Sequence, residues 1–268
     1  YRTPGHSFDS NGVPIYYTDE GSGVPVILVH GLGANADLNW RWPGVTKQLL
    51  KRGYRVVAMD ARGHGKSGKP HDPEKYGKEM ALDVLRLMDH LGIQKAHLAG
   101  YSMGGFIVIR FVTLHPERVL SAAICASGWS PLDERAVALM REIAENMRKG
   151  KLDPVIHWLD IDKRAPAAFC HVLNFLARQT NDFTAFACIF ENFGGLVVDE
   201  AEMKINGVPT ITIVGDKDGI REFADRTGTV MGSHEIIYVP GGDHWNLPQK
   251  RSLYQNLHQH FAKHAPTA

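Results

Sequence analysis

Four short stretches of this sequence hold residue types that together can carry out acyl transfer. Gly100-Tyr101-Ser102-Met103-Gly104 sets a serine between two glycines. Gly215-Asp216-Lys217-Asp218 offers two carboxylates, Asp243-His244 an imidazole, and His30-Gly31-Leu32-Gly33 a glycine-rich turn with a backbone N–H at Leu32. A serine hydroxyl is a weak nucleophile at neutral pH and needs a base within hydrogen-bond reach. Histidine titrates in the right range. The imidazole in turn needs a buried carboxylate to fix its tautomer and stabilise its charged form. A tetrahedral intermediate needs N–H donors at its oxyanion. Taken alone, the serine stretch could equally be a glycine-rich structural turn, so its surroundings must decide.

Those surroundings are strand, turn and helix. A short apolar run at 96–99 precedes the serine and a helix-like run follows it, the context in which Gly-x-Ser-x-Gly becomes a nucleophile elbow. Gly100 and Gly104 then have a steric reason, because a tight strand-to-helix turn leaves no room for a Cβ. Further apolar runs at 24–29, 54–59, 119–126, 208–214 and 234–239 read as strands, and 24–29 lacks alternation, as a strand buried on both faces does. Residues 6–20 form two extended runs around Asn11-Gly12, a hairpin signal. Helical spacing recurs near 40–52, over 78–91 (Met80, Val84, Leu87, Met88, Leu91), after the elbow to about His115, and through Leu253, Leu257 and Phe261. This alternation predicts an α/β fold with a mostly parallel central sheet and helices on both faces. The rhythm breaks over 129–206, where Val137, Met140, Ile143, Ala144 and Met147 share one helical face and Phe183, Phe186, Ala187 and Phe190 another. The expected organisation is an α/β core at 1–128, a helical lid at 129–206, and the rest of the core at 207–268.

In a parallel sheet function collects at the carboxyl ends of the strands, and all four chemical stretches fall there. The order Ser102, aspartate, His244 is that of α/β-hydrolases rather than of chymotrypsin or subtilisin. From about residue 24 onward the chain resembles the α/β-hydrolase superfamily, in its serine esterase and lipase-like branch. The motifs that carry the likeness are 30–33, 60–67, 100–105, 215–218 and His244. The resemblance implies a catalytic Ser102, Asp218 and His244, with Asp218 preferred to Asp216, and an oxyanion hole from the N–H groups of Leu32 and Met103. It also implies a variable lid that sets substrate choice. Serine at the elbow sets the chain apart from haloalkane dehalogenases and epoxide hydrolases of this fold, which use aspartate there. Asp243 adjoins His244, and neighbouring side chains diverge. His30, Asp60, Arg62 and His64 fit a structural loop held by its own hydrogen bonds.

The expected function is hydrolysis of small soluble carboxylic esters through an acyl-enzyme. Other serine activities of the fold stay open: C–C bond hydrolase, lactonase, monoacylglycerol-type lipase or perhydrolase. A slow-turnover ligand receptor is a further alternative. Charges such as Asp133-Glu134-Arg135 and Arg148-Lys149-Gly150-Lys151 in the lid argue against insoluble fat. Trp129, Met140, Met147, Trp158 and Phe169 are candidate pocket residues, although residues of these types are more often lid core.

The 268 residues suffice for a core without staples, with 44% hydrophobic and 22% charged residues. A net charge of +1 gives no field favouring nucleic acid or an anionic membrane. Cys125, Cys170 and Cys188 suggest neither a disulfide framework nor a zinc site. No cofactor or metal is expected, and no run is long enough for stable membrane insertion. The chain begins at Tyr1, which implies processing or trimming and leaves the compartment undetermined, as is the oligomeric state.

Overall fold

The apolar runs become strands of one eight-stranded sheet, in the order β1-β2-β4-β3-β5-β6-β7-β8, with the 234–239 run at an edge, where only Val239 is buried. The computed structural model describes residues 4–159, 167–231 and 234–266, without the side chains of Ala167 and Phe169. β1 (His6–Ser10) and β2 (Val13–Glu20) make an antiparallel hairpin, with φ of 55° at Asn11 and 80° at Gly12. Two successive positive φ angles are what a two-residue hairpin turn demands, and Asn-Gly supplies them at little steric cost. β2 pairs antiparallel with β4, and every later pairing is parallel.

The chain then runs β3 (Pro25–Val29), α1 (Val45–Leu50), β4 (Arg55–Met59), α2 (Lys78–His90), β5 (Ala96–Tyr101), α3 (Met103–Leu114) and β6 (Val119–Cys125). Five helices follow among the described residues: α4 (Glu134–Arg148), α5 (Asp153–Trp158), α6 (Ala167–Thr180), α7 (Phe183–Glu191) and α8 (Glu200–Lys204). β7 (Thr210–Gly215), α9 (Arg221–Val230), β8 (His234–Val239) and α10 (Arg251–Lys263) close the chain. All six residues of β5 and of β7 are buried, as strands covered on both faces must be. Met80, Val84, Leu87 and Phe111 of α2 and α3 fill one side of the sheet, while Leu49, Leu253, Leu257 and Phe261 of α1 and α10 fill the other.

Two expectations need correction. The helix expected near 40–52 is broken: a π-helical turn at Asp37–Arg41 and α1 are separated by Gly44 at φ 89°. Val137, expected on the buried face of α4, is 40% exposed, while Met140, Ile143, Ala144 and Met147 are buried. On α7 the expected face does pack inward through Phe186, Ala187 and Phe190. Among the described helices none is long and apolar enough to cross a membrane.

Three histidines are held neutral by the sheet. Burial pushes His97 down to about 3, and His234 and His260 down to about 4. Their unfolded forms bind protons near pH 6.5, so below that the unfolded state carries more protons than the folded one. Stability is therefore complete above pH 6.5 and falls as pH drops toward 4, each group contributing about 1–2 kcal/mol at pH 5. Urea unfolding at pH 7 and pH 5 checks this: the midpoint should move to lower urea at pH 5.

Candidate active site

The site begins at a backbone strain. Ser102 has φ 52° and ψ −115°, a conformation a side-chain-bearing residue adopts only when its surroundings over-determine it. A Cβ on Gly100 would run into the Gly104 carbonyl, and one on Gly104 into the Val29 carbonyl. The two glycines therefore let β5 turn straight into α3 beside β3. The turn is pinned by Ser102 N–H donating to the Cys125 carbonyl at 2.8 Å and Gly105 N–H donating to the Ser102 carbonyl at 2.8 Å. Ser102 so occupies the N-cap of a helix twelve residues long. The positive end of that helix dipole faces the space above the hydroxyl.

His244 reaches the hydroxyl from the loop after β8, and its Nε2 lies 2.9 Å from Ser102 Oγ. Its Nδ1 is 3.1 Å from both carboxylate oxygens of Asp218, in the loop after β7. A carboxylate can only accept, so Nδ1 carries the proton and Nε2 is left to accept from the serine. Asp218 is 5% exposed and its Oδ1 also accepts the Ile220 N–H at 3.1 Å. Asp216 is exposed and Asp243 caps its own loop, accepting the N–H groups of Trp245 at 2.9 Å and Asn246 at 2.7 Å. Of the three aspartates near His244 in these loops, only Asp218 thus meets the imidazole. The His244 loop is braced by the Tyr101 hydroxyl, which donates to the His244 carbonyl at 2.7 Å. Burial raises the Tyr101 phenol well above its ordinary value, which keeps this donor protonated.

Leu32 and Met103 flank the serine. Met103 is the first residue of α3, so its N–H has no acceptor within the helix. The Leu32 turn is held by its neighbours: Gly31 N–H donates to Asn39 Oδ1 at 2.9 Å and Ala34 N–H to the Gly31 carbonyl at 3.2 Å. His30 fixes the same turn from beneath. Its Nε2 accepts the Ala61 N–H at 2.9 Å, so its Nδ1 donates to the Gly31 carbonyl at 2.7 Å. Burial lowers its pKa, in keeping with a neutral structural ring.

The 60–67 loop closes on itself. Asp60 accepts the N–H groups of Ala36 and Lys66, each at 2.9 Å. Arg62, fully buried, makes a two-pronged ion pair with Asp83 at 2.7 and 2.6 Å. His64 stacks near Phe186 at 4.7 Å between ring centres. Asp60, Arg62 and His64 hold the loop beside the serine, and none of the three lines the cavities at Ser102.

A cavity of about 300 Å³ opens over Ser102 and His244, walled by Leu38, Leu152, Ile156, Leu173, Phe186 and Trp245. The sequence marked none of these six as pocket residues; Phe186 stood out only as part of a helical face, and for Ile156 on α5 and Leu173 on α6 there is no signal for which side faces the sheet. Of the residues it did single out, Trp129 does not line this cavity. It is buried and its indole N–H donates to the Val198 carbonyl at 2.7 Å. Met147 is wholly buried in the α4–α7 packing, and Met140 lines a different cavity. Trp158 does border a recess beside Ser102. The Phe169 side chain lies outside the described residues. The charges read at 133–135 and at Arg148, Lys149 and Lys151 are exposed, and beside them α6 turns Val172, Phe175 and Leu176 outward. Among the described residues no group of three His, Cys, Asp or Glu side chains is arranged to hold a metal ion.

Comparison with known proteins follows this geometry. A family model described as alpha/beta hydrolase fold matches residues 24–157. The chain is 33% identical over 258 residues to a putative non-heme haloperoxidase of Mycobacterium phage D29, covering 89% of this chain and 87% of that one. It is 36% identical over 126 residues to a non-heme haloperoxidase of Rhodococcus erythropolis, 46% of this chain and 43% of the other. The chain spans less than half the length of the first curated relatives it matches. Among solved structures, a thermophilic esterase from Thermogutta terrifontis superposes with a TM-score of 0.80 at 22% identity, covering 98% of this chain and all of that one. At that identity the likeness is one of fold.

Proposed function

The chain belongs to the α/β-hydrolase family, and from that premise we propose that it is a serine hydrolase cleaving small carboxylic esters through an acyl-enzyme. The observation that most supports this reading is the hydrogen-bonded line from Ser102 Oγ through both ring nitrogens of His244 to Asp218. In this reading His244 Nε2 takes the proton as Ser102 Oγ bonds to the ester carbonyl carbon. The oxyanion sits between the N–H groups of Leu32 and Met103, each such donor worth about 3 kcal/mol in the transition state. The C–O bond to the alcohol breaks, the alcohol leaves with the proton from Nε2, and Ser102 holds the acyl group. Water then attacks, Nε2 takes its proton and returns it to Ser102 Oγ, and the acid departs. No cofactor enters, and α4 to α8 serve as the lid that shapes the cavity.

A second reading has one specific support, the haloperoxidase names of the relatives. In it hydrogen peroxide replaces water as the attacker on the acyl-enzyme, and a peracid leaves instead of an acid.

The test is turnover of p-nitrophenyl acetate together with labelling by a fluorophosphonate. The proposal expects steady release over many turnovers and a label on Ser102, mapped by peptide mass spectrometry. Single-turnover kinetics with ligand-dependent stabilisation would sink it in favour of a receptor. Peracid formed faster than acetate in the presence of peroxide would favour the second reading.

A further inference from the structure

The substituents of the tetrahedral carbon point to different parts of the site, and the walls around Ser102 sort them. The leaving alcohol must face His244 Nε2, which protonates it. His244 lines the 300 Å³ outer cavity, so the alcohol belongs there. The oxyanion faces Leu32 and Met103. What remains for the acyl chain is a separate recess bordered by Ser102, Leu32 and Met103, with His244 absent from its wall. Its volume is about 30 Å³. A water-sized group requires roughly 10–15 Å³ measured this way, so the recess holds about two such groups.

The recess is shallow because aromatic rings close its floor. Phe106, Phe193 and Trp158 line the recess and also line a further cavity of about 300 Å³ on their other side. Phe106 and Phe193 meet edge to face at 5.1 Å, and Trp158 tilts against a fourth ring, Phe223, at 5.9 Å. Phe106 and Phe193 are buried in the core, whereas Trp158 is half-buried at the last turn of α5. Trp158 is therefore the member of the partition that can be shortened without opening the core. Met140 stands on the far side, in the wall of the second cavity.

Resting on the serine-hydrolase reading above, we infer that the natural substrates carry a two- or three-carbon acyl group on a bulkier alcohol, with Trp158 as the residue that limits acyl length. The enzyme selects acetyl and propionyl esters because a longer chain meets the indole. The second cavity is the space a longer chain would occupy were Trp158 removed.

The experiment uses two probes on the wild type, Trp158→Ala and the smaller change Trp158→Leu. One is a series of p-nitrophenyl esters from acetate to octanoate. The other is a pair of p-nitrophenyl alkylphosphonates, methyl and octyl, whose alkyl group enters the acyl side as Ser102 displaces p-nitrophenolate. In the wild type both octyl compounds should react at least about tenfold more slowly than their short counterparts, the scale on which a pocket rejects extra methylenes. Trp158→Ala should raise the octanoate-to-acetate and octyl-to-methyl rate ratios by about tenfold or more, and Trp158→Leu should fall between. Adding Met140→Trp to Trp158→Ala should cancel the gain by refilling the second cavity. Equal wild-type rates for methyl and octyl phosphonates overturn the inference, as does a labelled, folded Trp158 variant with unchanged chain preference. If the phosphonates keep their chain-length order on Ser102 while no ester turns over, the partition stands and the ester reading fails. If Ser102 takes no phosphonate, both fall.

Discussion

Ser102→Ala is expected to lower kcat/KM for p-nitrophenyl acetate by about 10⁵–10⁶, the size of loss seen when a triad nucleophile is removed. In the proposed mechanism the change deletes the atom that bonds to the acyl carbon, and it leaves His244 Nε2 without its 2.9 Å partner. Folding should suffer little. Ser102 is half-buried, and the backbone bonds that pin the elbow, to Cys125 and from Gly105, do not involve its side chain. The strained φ of 52° persists in the variant, because Gly100 and Gly104 rather than the hydroxyl make room for it. The variant should therefore melt within a few degrees of the wild type and still bind ester in the cavity. A residual rate of about 10³–10⁴ over water is expected from the oxyanion donors and binding alone. A variant that keeps more than about a tenth of the wild-type rate would mean that another group attacks. Loss of the fluorophosphonate label in the same variant separates these outcomes from misfolding.

Why this much was legible in the sequence, and the pocket was not, follows from where each signal comes from. The elbow, the Asp218 loop and the His244 loop each follow an apolar strand run, so sequence order alone brings them to one edge of a parallel sheet. Steric need leaves a mark at Gly100 and Gly104, where the structure has carbonyls in the way of any Cβ. Asp216 and Asp218 look alike as letters. They differ in burial, and burial depends on the turn that points Asp218 inward. The pocket fails for a further reason. Periodicity gives the apolar face of a helix but not what that face meets. Thus Trp129 and Met147 are packing residues, while Leu152 and Ile156 at the short α5 and Leu173 on α6 make the wall.

Two other misses have the same physics. The sequence reading passed over α9, whose buried side chains Ala224, Thr227 and Val230 are too small to draw a stripe. Gly228 in that helix faces the tip of the Ile236 side chain on β8, which a Cβ would meet at 2.7 Å. On α6 the inward residues Leu173 and Ala177 line the cavity while Val172, Phe175 and Leu176 face out. Counting charges over the whole 129–206 stretch averaged that helix away. The argument for small substrates consequently moves from lid charge to the size of the recess behind Ser102.

Asp218→Asn should lower kcat by about 10⁴ with little change in melting temperature, the largest effect expected from a change that removes no heavy atom. The carboxylate accepts from His244 Nδ1 through both oxygens at 3.1 Å. An amide keeps one accepting oxygen and puts an NH₂ donor in place of the other. Ile220 N–H, which bonds Oδ1, holds the carbonyl on its side. The amide NH₂ then faces Nδ1, which must give up its proton and accept. The proton moves to Nε2, and His244 can no longer take the proton of Ser102. A factor of 10⁴ corresponds to about 5.5 kcal/mol of barrier. The same tautomer change should slow fluorophosphonate labelling of Ser102, because that step needs the same base. Two companion variants give the comparison its force. Asp216→Asn, at an exposed position, should change kcat by less than about threefold, as should Asp243→Asn, whose retained carbonyl can still accept the Trp245 and Asn246 N–H groups. Should either cost more than Asp218→Asn, the carboxylate that orients His244 has been misassigned, since burial and distance would then have failed to identify the group the imidazole depends on.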